Sequence, residues 1–180
     1  MTASRYRIFT RNELTAEQQQ VFDATAGPRG GAVPAPFHVL LESPQLAQLT
    51  QNLGAFCRYR TGFAPRHSEM LVLTVAAHWD AEYEFFVHAP IAKKEGVPES
   101  VIAAIKARAT PEFEDADARL LYEFTTAFFV HNDVPDALFN EAVARFWRRR
   151  VVELAGILGY YSGLAMLLRI FRVTPGTPRP

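Results

Sequence analysis

RHSEMLVLTVAAHWDAEYEFFVH, running from Arg66 to His88, decides how this chain folds. Its first half is apolar all round from Met70 to Ala77 apart from Thr74, the pattern of a helix buried on every side. Pro65 stands just ahead, where a proline suits the first helical position, so a helix is predicted from Pro65 to about Trp79. A second helix follows from about Ala81 to Glu95, stopped by Gly96 with Pro98 beyond. On that helix Glu84 and His88 are four residues apart and share a face. Glu69, near the start of the first helix, would bring a second carboxylate from a neighbouring element and complete a proton-transfer site. Pro90 falls two residues after His88 and cannot donate to the Phe86 carbonyl, which predicts a kink or a freed carbonyl there.

Helix punctuation continues in both directions. Thr15-Ala16-Glu17-Gln18 has capping-box spacing, and Gly27-Pro28 is a stop. Gly27 to Pro36 reads as loop. Ser43-Pro44 reads as an N-cap with proline at the first helical position, opening a helix that ends near Gly62. Leu46, Leu49, Leu53, Phe56 and Cys57 recur along it at helical spacing. Further helices are predicted at about 99–108, 115–131, 136–147 and 150–171. There is no period-2 strand pattern, internal repeat or glycine-rich phosphate loop. The expectation is an all-α single domain over 1–180, with an N-terminal helical extension (about 1–27) and an irregular tail (about 174–180).

The 180 residues suffice for one domain with a real core. A hydrophobic share of 49% against 21% charged excludes a disordered chain. Nineteen basic and nineteen acidic residues cancel, so no net charge draws the chain to nucleic acid or an anionic membrane. The basic run Arg148-Arg149-Arg150 reads as a solvated helix junction. Cys57 is the sole cysteine, which excludes an internal disulfide or dithiol pair. No apolar core of a secretory signal follows the N-terminus. The longest uncharged apolar run, Leu154 to Leu168, is shorter than the roughly 20 residues of a membrane span. It contains Gly156, Gly159 and Gly163, as a buried helix approached closely by a neighbour would. A soluble cytoplasmic protein is expected.

His88 is the first candidate for chemistry. Burial and a nearby carboxylate shift an imidazole in opposite directions, which can bring its titration near neutral pH and suit it to general acid or base work. The alternative is a satisfied structural histidine. For Glu69 the alternative is an exposed first-turn carboxylate paired with Arg66. Cys57 reads as a small core hydrophobe rather than a nucleophile. No metal site is expected, because Glu84 and His88 supply only two ligands and His67 and His78 are eleven residues apart. Ser162 lacks a nucleophile elbow.

Taken in order, Pro65-Arg66-x-x-Glu69, Glu-Tyr-Glu-Phe with His88, Glu95-Gly96-Val97-Pro98 and Leu158-Gly159-Tyr160-Tyr161 resemble the carboxymuconolactone decarboxylase family, within the alkylhydroperoxidase D-like (AhpD-like) superfamily. The resemblance spans about residues 28–175. It implies an all-helical fold forming trimers or hexamers, with active sites at or near subunit interfaces. In the peroxidase branch a glutamate precedes a C-x-x-C pair and a histidine. Glu69 and His88 match the glutamate and histidine, while the cysteine positions fall on Ala81 and Glu84, so a dithiol peroxidase cycle should be absent. The Cys-less branch implies cofactor-free acid–base chemistry, a decarboxylase or isomerase acting on a small organic acid or lactone of aromatic catabolism. There His88, Glu69 and Glu84 would be catalytic, and Arg66, Tyr83 and Trp79 would bind substrate. The competing expectations are a non-catalytic small-molecule-binding or assembly protein and a thiol peroxidase using Cys57.

Overall fold

The computed structural model describes residues 4–176, and among them the only regular elements are helices. Short 3-10 turns at Arg11–Glu13 and Gly27–Arg29 accompany eight α-helices: α1 Ala16–Ala26, α2 Ala35–Leu40, α3 Pro44–Tyr59, α4 Pro65–His78, α5 Glu82–Lys94, α6 Glu99–Lys106, α7 Ala116–His131 and α8 Asp136–Phe171. Helix α4 is the axle. Every residue from His67 to Ala76 is buried, and α5, α6, α7 and α8 all pack on it. That is what an apolar run without a polar face requires.

The predicted signals operate where they were read. The Thr15 amide donates to Gln18 Oε1 at 2.9 Å and the Gln18 amide to Thr15 Oγ1 at 3.3 Å, closing the capping box. Pro44 and Pro65 open α3 and α4, although the Ser43 side chain makes no cap bond. Helix α5 runs unbroken through Pro90. Since proline carries no amide hydrogen, the Phe86 carbonyl lacks its usual i+4 donor without the helix ending.

Four expectations are corrected. Helix α2 begins inside the predicted loop, and Pro36 to Leu40 are all buried. A six-residue helix buried along its length shows no amphipathic period to read. The N-terminal extension carries its helix in α1, and from residue 4 to residue 15 only the 3-10 turn is helical. Those residues form a strap held by the Arg5 amide on the Phe171 carbonyl (3.0 Å) and the Phe9 amide on His38 Nδ1 (3.2 Å). The gap predicted around residues 148–149 shrinks to one residue. Trp147, at φ 70° and ψ 149°, breaks α8 into two arms, in a region that costs a non-glycine residue about 1–3 kcal/mol. Finally, Leu46, Leu49 and Leu53 do not enter the core with Cys57; they are 51%, 67% and 47% exposed. The tail is irregular over 174–176, and its last four residues lie outside the described range.

By length and composition α8 could cross a membrane, but half of its most apolar window is packed inside the protein. Leu154, Ile157, Leu158, Tyr161 and Leu168 form its inner face.

Candidate functional site

Glu69 sits one turn into α4, where the helix has already entered the core. Glu84 and His88 occupy one face of α5, turned toward α4. The three side chains are buried, and they meet. His88 Nδ1 lies 2.6 Å from Glu69 Oε2 and its Nε2 lies 3.2 Å from Glu84 Oε2. Both ring nitrogens therefore face a carboxylate. Arg58 of α3 reaches the other Glu69 oxygen, Nε to Oε1 at 3.7 Å, and its side chain is 30% exposed. Arg58, Glu69, His88 and Glu84 thus form a chain of alternating charge from the solvent edge into the core.

Helix α8 closes the site. The Tyr161 ring meets the His88 ring edge-on at 5.6 Å and 86°, and Tyr160 packs edge-on against Tyr161 at 4.9 Å. The Tyr160 hydroxyl occupies the space a side chain at Gly54 would need. That glycine is what lets α3 and α8 approach here.

Burial works against the charged imidazole, but the carboxylates of Glu69 and Glu84 outweigh it and raise the His88 pKa to about 9. The ring is therefore an imidazolium at neutral pH and donates from both nitrogens. Burial, reinforced by the charge of Glu84, holds the Tyr160 and Tyr161 phenols above their usual range, so both stay protonated. Burial also pushes the Cys57 thiol up to about 11, where it is protonated and a poor nucleophile.

The remaining sequence candidates have partners outside the Glu69–His88–Glu84 chain. Arg66 turns to Asp115, with Nε and Nη2 each 3.1 Å from Oδ2. His67 Nε2 reaches the same oxygen at 2.8 Å. The Tyr83 hydroxyl accepts from the Ala35 amide at 3.3 Å and holds the start of α2. The Trp79 indole donates to Ser162 Oγ at 3.0 Å. The sequence reading missed Arg58, Tyr160 and Tyr161. Two adjacent phenols in an otherwise apolar helix were the available signal, because a buried tyrosine hydroxyl needs a polar neighbour. Nothing local marks Arg58, since its partner lies eleven residues away on another helix.

A cavity of about 830 Å³ opens between α4, α5 and α6, walled by Phe85, Phe86, Ala89, Ile102 and Lys106 among others. At 100° per residue Phe86 lies on the face of α5 opposite Glu84 and His88, with Phe85 and Ala89 on its flank. A second cavity of about 410 Å³ holds Arg66, His67 and Asp115. Neither is lined by His88. Among the described residues, no three or more His, Cys, Asp or Glu side chains are arranged to hold a metal ion.

No family model and no curated protein matches the sequence. Solved structures do match the fold. A protein from Ralstonia eutropha JMP134, described as an alkylhydroperoxidase AhpD core and an uncharacterized peroxidase-related protein, aligns with TM-score 0.80 at 16% identity, covering 98% of this chain and 94% of its own. An uncharacterized peroxidase-related protein from Silicibacter sp. TM1040 aligns at 0.75 and 14% identity, over 91% of this chain and 87% of its own. A protein of unknown function from Agrobacterium tumefaciens, described as an AhpD antioxidant defence protein, aligns at 0.67 and 17% identity, over 77% of this chain and 96% of its own. The fold is AhpD-like. At these identities the likeness is one of fold, and function has to be argued from the site.

Proposed function

We propose that the chain is a cofactor-free acid–base enzyme of carboxymuconolactone decarboxylase type, a lyase or isomerase acting on a small organic acid or lactone. One observation carries the reading: a buried imidazolium held between two carboxylates, with a half-exposed arginine at the outer end. His88 stores a proton at neutral pH. Loss of carbon dioxide from a substrate carboxylate leaves its electron pair on carbon as an enolate-like anion. Glu69, whose one oxygen takes the His88 Nδ1–H and whose other faces Arg58 at the rim, relays the His88 proton to that carbon, giving the product and a neutral imidazole, which takes a proton back from solvent by the same route. Glu69 and Glu84 hold the ring and its charge, so the donor is in place before the anion forms. Arg58 binds the substrate carboxylate at the rim, the task assigned from sequence to Arg66.

The neighbours' peroxidase descriptions do not transfer through chemistry found here, because Ala81 and Glu84 stand where the resemblance places the two thiols. A structural role for the same cluster is the second reading, favoured by the absence of His88 from the walls of both cavities. A panel of γ-carboxylated lactones and related acids, assayed for carbon dioxide release and for deuterium incorporation in heavy water, tests the proposal. His88→Asn should lose at least about a hundredfold in kcat, the usual weight of a general acid, while its circular dichroism is unchanged. Turnover at the wild-type rate in that variant would leave the cluster structural. Peroxide reduction that is lost in Cys57→Ser would replace the proposal with thiol chemistry.

A further inference from the structure

The larger cavity differs in character from the His88 cluster. It is a trough between α5 and α6, floored by α4. Its lining runs the length of both outer helices, from Glu82 to Lys93 on one and from Glu99 to Lys106 on the other. At 1.5 Å per residue that is about 16 Å along α5. The volume of about 830 Å³ comes from small side chains, because Ala76 and Ala77 of α4, Ala89 of α5 and Ala103 of α6 all line it. Protein interiors otherwise leave few voids larger than a water molecule. Phe85, Phe86 and Ile102 make the remaining walls apolar. Helix α6 divides in the same way: Val101 and Ile105 are buried in the core, while Ile102, Ala103 and Lys106 line the trough.

Most charges around the trough already have partners. Lys93 Nζ holds Glu99 Oε1 at 2.6 Å and closes one end. Arg108 is fixed by Asp80 at 2.5 Å and by the Ala77 carbonyl at 2.7 Å. Glu82 stands exposed in the first turn of α5, where the helix amides offset a negative charge. Lys106 is left. Its ammonium lies 5.9 Å from the centre of the Phe85 ring, over the trough wall and toward the end opposite Lys93. Among the described residues no carboxylate pairs with it.

We propose that this trough binds a single-chain carboxylate amphiphile, a fatty acid of medium length. Its carboxylate pairs with Lys106, and its alkyl chain lies along Ala103 and Ala89 toward the Lys93–Glu99 pair. The volume falls within the roughly 300–1,000 Å³ usual for small-molecule sites. The shape selects a linear chain, since a compact acid would leave most of the length empty. A dicarboxylate is the poorer ligand, because the far end is closed by an ion pair that offers no free cation. The site lies across α5 from the His88 cluster, and the inference does not rest on the proposed reaction.

Isothermal titration of the full chain with hexanoate, octanoate and decanoate, each below its micelle concentration, tests it. Affinity should rise about fourfold for each methylene buried. Lys106→Gln should weaken decanoate about tenfold, the weight of a hydrogen bond to a charged group, and leave decanol unchanged. Ala103→Phe, at an exposed position, should abolish binding of both while the helical circular dichroism is kept. His88→Asn should bind decanoate as wild type does. No binding of millimolar decanoate, an affinity independent of chain length, or equal losses for decanoate and decanol in Lys106→Gln would each overturn the proposal. So would undiminished binding in Ala103→Phe. If that variant instead splits an oligomer that binds no fatty acid, the trough belongs to another chain and the proposal falls.

Discussion

Helix α4 carries two histidine–carboxylate contacts that look alike on distance alone. At its first turn His67 meets Asp115 at 2.8 Å; two residues later Glu69 meets His88 at 2.6 Å. Their surroundings separate them. Asp115 is 34% exposed, and beyond His67 it takes Arg66 and the amides of Asp117 and Ala118, capping α7. It is a joint between α4 and α7, and its charge is spread over many donors. His88 is sealed, and two carboxylates share one imidazolium. A short contact therefore says little by itself. Burial and the count of opposing charges decide whether a pair holds a helix in place or holds a proton.

The largest effect that can test this contrast comes from deleting each histidine. His88→Ala leaves two buried carboxylates without their cation and should cost about 3–5 kcal/mol, the usual result of breaking a buried pair. His67→Ala leaves Asp115 with its arginine and amides and should cost about 1.5–3 kcal/mol, a single lost hydrogen bond to a charged group. Urea unfolding measures both, and equal losses would erase the distinction.

Glu84→Gln comes next. It keeps a hydrogen-bonding group on His88 Nε2 and removes one of the two charges that raise its pKa. The imidazole pKa should fall, which proton NMR of the ring can follow. Activity should drop less than in His88→Ala. An unmoved pKa would mean that Glu69 alone sustains the imidazolium.

The two sites should also separate in pH. A histidine raised to about 9 in the folded state adds stability that is fully present below its unfolded value near 6.5. That contribution disappears as pH rises through about 9. For Asp115 burial works the other way, but His67 and the two amides outweigh it and lower its pKa to about 2. Its contribution is present above the ordinary aspartate value and is lost as pH falls through about 2. Thermal midpoints should therefore decline on the alkaline side in wild type and stay flatter there in His88→Asn. A parallel alkaline decline in both proteins would assign it to other groups.

Smallest of all is Asp115→Asn. Asparagine caps helices about as well as aspartate, so the loss should stay within about 1 kcal/mol and be confined to the Arg66 and His67 contacts. A larger loss by chemical denaturation would make this joint as charge-dependent as the His88 cluster.

Local sequence settled a great deal here. The all-round apolar run after Glu69, the prolines at helix starts and the capping box at Thr15 placed α1, α3, α4 and α5, because these signals act within one turn of chain. The i,i+4 spacing of Glu84 and His88 fixed their common face for the same reason. Helix α2 escaped because a short helix buried along its whole length has no period. Tertiary structure alone decided the rest. It showed that Glu69 lies inward and not on the surface, that Arg58 rather than Arg66 is its arginine, and that Tyr160 and Tyr161 close over the imidazole. It also showed that the leucines of α3 face outward and that the glycines of α8 have open space beside them. Each of these depends on which helix faces are brought into contact, and the direction of a side chain between helices is set by packing across the whole core, which residue spacing along one helix does not encode.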